Sequence, residues 1–173
     1  MKNKLLLASI LILASLFAIA FFWYRSGTPH TAGDYKNISY EIGGQTIKLT
    51  NGSAESEAAP GSASMISTQY FGNEVYADLN SDGMDDVAFL LTQSGGGSGT
   101  FYYVAAALKT SNGYMGTNAI LLGDRIAPQT TEFRNGDLIV NYAERKPNEP
   151  MTAQPSVGVS KYFKITNGEL VEI

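Results

Sequence analysis

The chain has 173 residues, no cysteine, one histidine and a net charge of −4. These counts exclude disulfide staples, a thiolate nucleophile, an acylated lipoprotein cysteine and a paired-histidine zinc site. The acidic balance argues against nucleic acid as a partner. About 135 to 150 residues follow the apolar N-terminal segment, enough for one domain with a real core.

Residues 5–24 carry no charge, a run of about twenty residues that is long enough to cross a bilayer as a helix. Lys2 and Lys4 precede it and Arg25 closes it, so the positive-inside rule keeps the N-terminus in the cytoplasm. Phe21, Phe22, Trp23 and Tyr24 stand where an aromatic belt meets the headgroups. Ala18-Ile19-Ala20 offers a signal-peptidase site, but the apolar run continues past it, which favours a signal anchor over 1–25. The expected topology is a single-pass protein of the cell membrane with its C-terminal domain outside, periplasmic or extracellular. Residues 26–37, small and polar with Pro29, read as a linker. His30 lies in that stretch and has no second histidine to work with.

From Ile38 onward, alternating apolar and polar runs punctuated by turn dipeptides predict antiparallel strands over 38–173. Residues 38–42 and 45–49 flank Gly43-Gly44, which suits a two-residue hairpin turn. Asn51-Gly52 ends that pair, and 53–64, rich in Ala, Ser, Glu, Gly and Pro, reads as an irregular surface excursion. Two β-prone segments follow, 69–77 and 87–92, the second continuously apolar as in a central strand. The glycines of 94–99 predict a turn, and because Thr100-Phe101 follows instead of a lysine and hydroxyl pair, they make no P-loop. Residues 101–109 fit helix or strand, and Phe101, Tyr102, Tyr103 and Val104 favour strand. Asn112-Gly113, Asn135-Gly136 and Asn167-Gly168 each separate two β-patterned runs, the strongest short hairpin signal. Residues 146–158, with prolines at 147, 150 and 155, form a loop between the last two hairpins. The fold class expected is all-β, an antiparallel β-sandwich or half-open barrel built of hairpins, preceded by one N-terminal transmembrane helix.

Residues 78–86 read Asp-Leu-Asn-Ser-Asp-Gly-Met-Asp-Asp, with oxygen side chains at loop positions 1, 3, 5 and 9 and glycine at position 6. That spacing suits a calcium ion held by the side chains of Asp78, Asn80, Asp82 and Asp86 and the carbonyl of Met84, with Gly83 permitting the sharp turn. Position 12 is Phe89, not a bidentate glutamate, so this is no EF-hand. An ion-free Asx turn is the competing reading, since Asp, Asn and Gly all favour turns. Against it, four clustered aspartates repel unless a cation neutralises them. Asp124-Arg125 and Glu144-Arg145-Lys146 put charges at strand ends, where salt bridges are the simplest reading. Glu144 and Glu149 do not by themselves define a glycosidase pair. No catalytic motif stands out.

The loop resembles those of FG-GAP and integrin-type repeats, which share its strand-loop-strand setting and oxygen positions. A wider resemblance runs through Tyr70-Phe71-Gly72, residues 86–91, residues 97–103, Leu122-Gly123-Asp124-Arg125-Ile126 and residues 147–151. It is to a family of uncharacterised bacterial exported proteins and lipoproteins with a DLNGDG-type loop. The chain departs from the lipoprotein members in lacking cysteine and from propellers in having one such loop. The resemblance implies an extracytoplasmic location and no particular activity. The expected function is a membrane-anchored, calcium-binding envelope domain that binds or supports an envelope protein or glycan, the alternative being a cell-surface hydrolase.

Overall fold

The computed structural model describes residues 34–59 and 61–173. The predicted anchor lies outside them, and among the described residues no helix is long and apolar enough to cross a membrane. Twelve strands follow a single turn of 3-10 helix, Asp34–Asn37. They are β1 (Ser39–Ile42), β2 (Gln45–Lys48), β3 (Ser53–Glu57), β4 (Met65–Ala77), β5 (Asp86–Ser94) and β6 (Phe101–Thr110), then β7 (Gly113–Gly116), β8 (Asn118–Asp124), β9 (Ala127–Arg134), β10 (Asp137–Glu144), β11 (Val157–Thr166) and β12 (Glu169–Glu172). The all-β expectation is met.

Eight strands make one sheet, in the order β2-β1-β8-β6-β5-β4-β3 with β7 paired to β6. Its two edge strands, β2 and β3, are consecutive in sequence and meet at the Thr50–Ser53 bridge, so the sheet curls into a nearly closed, barrel-like form. A second sheet holds β12-β11-β10-β9. All pairs are antiparallel except β1 with β8.

Three of the turns behave as their dipeptides dictate. Gly43-Gly44, Asn135-Gly136 and Asn167-Gly168 are the two-residue loops of tight hairpins, and all six residues have positive φ, as type I′ turns require. Near Asn112-Gly113 the register differs: Thr110 pairs with Gly113, so Ser111 and Asn112 form the loop. The surface excursion expected after Gly52 begins instead as β3, an edge strand whose Ser-Ala-Glu-Ser-Glu sequence buries little. Charged and small residues are what exposed edges tolerate. The folded unit also starts before Ile38, because Tyr35, within the predicted linker, is buried.

Strands β5 and β6 are the wall between two cores. Successive side chains of a strand point to opposite faces. On one side Ala88, Leu90, Val104 and Ala106 pack against Leu138, Val140, Tyr142 and Phe163 of the second sheet. On the other, Val87, Phe89, Leu91, Ala105 and Ala107 face Tyr35, Tyr40, Ile42, Ile47 and Leu49 inside the curled sheet. Alanines on β6 opposite the larger side chains of β5 leave room for three tyrosine rings around Phe89, with centroids at 5.5 Å for Tyr35 and Tyr40 and 5.4 Å for Tyr70. Burying Phe89 completely contributes about 1.5–3 kcal/mol. Asn118 ties the two sheets together, donating to the Leu170 carbonyl at 2.9 Å and accepting its N–H at 2.8 Å. Gly116 permits the approach of β7 to β1: a Cβ there would stand 2.1 Å from the Ser39 carbonyl oxygen.

Candidate metal centre

The acidic loop connects β4 to β5 immediately beyond their last pair, Ala77 with Asp86. Short Asx side chains fold such a loop by accepting nearby backbone N–H groups. Asp78 takes two: the N–H of Asp82 on Oδ1 and that of Gly83 on Oδ2, each at 2.9 Å. Asn80 Oδ1 accepts from Asp82 N–H at 3.0 Å, and its amide donates to Asp82 Oδ2 at 2.9 Å. Asp82 Oδ1 in turn accepts from Met84 N–H at 2.9 Å. Gly83 has the positive φ expected of position 6, and Ser81, which the sequence did not single out, shares it. Asp78, Asn80 and Asp82 are therefore drawn together around one stretch of backbone, with Met84 exposed beside them.

Asp86 plays a different part. As the first residue of β5 it is fully buried, and its two oxygens accept the N–H groups of Leu79 at 3.0 Å and Lys109 at 2.7 Å. It pins both the loop and the end of β6. Desolvation pushes its carboxyl above the usual aspartate range against the pull of those two N–H groups, and the charges of Asp82 and Asp78 push it further up. Asp85 is exposed.

Among the described residues no group of three or more histidine, cysteine, aspartate or glutamate side chains is arranged to hold a metal ion. The donor chemistry nonetheless suits a hard cation. A carboxylate oxygen carries two lone pairs, and each of the hydrogen bonds above uses one. None of the ion pairs among the described residues includes a loop aspartate. Lys109, whose N–H bonds Asp86, sets its ammonium 4.4 Å from the centroid of the Tyr114 ring.

The other charged positions have local partners. Arg125 bonds Asp124 through Nε and Nη2. Arg145 donates to the carbonyls of Ala153 at 2.7 Å and Arg125 at 2.8 Å, which holds the proline-rich loop against the body. Glu149 accepts the Lys146 N–H at 3.0 Å. The roles of Lys109 as a backbone donor and of Arg145 as a loop clasp were missed. The sequence signal for the first is an aspartate heading the apolar run Val87-Ala88-Phe89-Leu90-Leu91.

No family model, curated protein or solved structure matches this chain.

Proposed function

We propose that this chain is a membrane-anchored, extracytoplasmic β domain of the bacterial envelope whose β4–β5 loop takes a calcium ion, with a binding or structural role toward an envelope protein or glycan. The supporting observation is the charge balance at the loop: Asp78, Asn80 and Asp82 gather oxygen atoms around a backbone turn beside the buried Asp86, and among the described residues no cationic side chain forms an ion pair with these aspartates. Calcium accepts six to eight oxygen ligands in flexible geometry, so the side chains of Asp78, Asn80 and Asp82 and the Met84 carbonyl would contribute, with water completing the shell. Asp86 would serve mainly by holding the loop to β6, and its negative charge adds to the site's field. The ion would offset the repulsion among the carboxylates. The half-open barrel reading of the fold rests on the β2–β3 seam, where among the described residues the Thr50–Ser53 bridge joins the two ends of the curled sheet.

The test is thermal unfolding of the full-length protein with calcium and with chelator. Extracellular modules bind calcium with constants of roughly 10⁻⁴ to 10⁻³ M. At about 1 mM calcium and a constant near 0.1 mM, binding adds about 1.4 kcal/mol, a rise of roughly 3–6 °C for a domain of this size. Asp82→Ala is expected to abolish the calcium response. A wild-type melting temperature that ignores both calcium and chelator rejects the site.

A further inference from the structure

The inside of the curled sheet is filled from one end only. Toward the end nearest the acidic loop, Phe89 with its partner Ala105 and Tyr40 with its partner Ile47 pack among Tyr35, Ile42 and Leu49, and Leu91 stands one step further along β5, all buried. A period of two along each strand assigns the following inward positions to Ile66 of β4, Gln93 of β5, Tyr103 and Phe101 of β6 and Leu121 of β8. These residues line a cavity of about 370 Å³ at the opposite end of the sheet. Although inward-facing by register, Phe101 is 41% exposed and Leu121 47%. The glycine turn after β5 lies close against this layer, for a Cβ on Gly95 would stand 3.3 Å from Ile66 Cγ1 and one on Gly99 would stand 3.0 Å from Phe101 Cε2.

We propose that this mouth binds an uncharged aromatic small molecule carrying one hydrogen-bond donor. Its volume lies in the range of small-ligand sites, which are apolar with a few placed polar groups. Two aromatic rings at alternate positions of one strand, Phe101 and Tyr103, offer ring-on-ring packing. No charged side chain lines the cavity, so an ionised ligand would lose hydration without a partner. Gln93 supplies the polar contact. Its amide nitrogen donates to the buried Thr68 Oγ1 at 3.0 Å, which fixes the side chain and leaves its carbonyl oxygen as the acceptor for a ligand N–H or O–H. This site is independent of the loop, and its occupancy is expected with or without calcium.

Photolabelling of the full-length protein with para-hydroxybenzophenone tests the proposal, at mildly acidic pH where the phenol is neutral and with adducts mapped by peptide mass spectrometry. Labelling of the peptides bearing Ile66, Phe101 and Leu121 should saturate with probe concentration. It should fall about tenfold or more in Leu121→Glu, which sets a charge in the mouth, and stay unchanged in Met115→Glu, an exposed apolar residue elsewhere. The methoxy analogue, without a donor, and the carboxylate analogue should both label the wild-type mouth several-fold less. These two arms stand even if Leu121→Glu fails to fold. Non-saturating labelling at the mouth, equal labelling of the two variants when both fold, or equal labelling by all three probes would overturn the proposal. A null result here leaves the calcium melting test untouched, and the converse holds as well.

Discussion

Strand β6 is tied down at both ends by an aspartate, and the two are held in opposite ways. Near its start, Asp124 accepts the Thr100 N–H at 2.9 Å and is gripped by Arg125, whose Nη2 lies 2.8 Å from Oδ2. Near its end, Asp86 accepts the Lys109 N–H but among the described residues forms no ion pair with a guanidinium or ammonium, and it stands in the field of Asp78 and Asp82. The same backbone task is thus done once with a built-in cation and once without. Hydrogen bonding to Arg125 holds the Asp124 carboxyl below the usual range despite some burial, whereas desolvation pushes Asp86 above it. One aspartate is thus supplied with an arginine and the other is left beside further acids, and the proposed cation site rests on that contrast.

The comparison is sharpened by substitutions, set against the core that both aspartates flank. Phe89→Ala, which empties the space between three tyrosines, is expected to cost about 3–5 kcal/mol in denaturant unfolding. Asp86→Ala leaves two N–H groups without acceptors, each costing about 1–3 kcal/mol if buried, and should come next. Asp124→Ala, closer to solvent, should cost about 0.5–1.5 kcal/mol. If Asp124→Ala proves the more damaging of the two aspartate changes, the assignment of Asp86 as the anchor of the loop is wrong. Asp85→Ala, at an exposed position, should lie within about 0.5 kcal/mol of the parent.

The two carboxyls also predict pH effects of opposite sign. Asp86 binds its proton more tightly when folded, so without calcium its contribution to stability falls as pH rises from the ordinary aspartate range through its raised pKa. Asp124 contributes stability that is complete above the ordinary range and is lost as pH falls through its depressed pKa. Carboxyl carbon titrations by NMR should find Asp86 above and Asp124 below ordinary aspartate. Added calcium should lower the Asp86 midpoint and leave that of Asp124 where it was. A common midpoint for the two would remove the contrast.

Much of the fold was legible because the local signals were strong. The dipeptides Gly43-Gly44, Asn135-Gly136 and Asn167-Gly168 set their own turns, and the unbroken apolar run after Asp86 announced a strand buried on both faces. The small, polar 53–57 segment looked like loop because an edge strand needs no apolar face, and its pairing with β4 is decided by tertiary contact. Tyr35 looked like linker because one aromatic residue has no periodicity to announce burial. The parallel pairing of β1 with β8 depends on contacts far apart in sequence, where hairpin signals are silent. In the acidic loop the spacing of Asp78, Asn80, Asp82 and Gly83 correctly foretold a tight turn wrapped by oxygen side chains. It did not foretell that Asp86 would turn its carboxylate to the N–H groups of Leu79 and Lys109, because that partner lies on another strand.

The most direct test of the loop as a cation site is an amide NMR titration of the full-length protein with calcium. The N–H signals of Asp82, Gly83 and Met84, which bond the proposed ligands, are expected to shift saturably, while those of Gly136 and Gly168 in the Asn-Gly turns stay in place. Loop signals that do not move up to about 10 mM calcium, well beyond the weakest extracellular sites, would contradict the account.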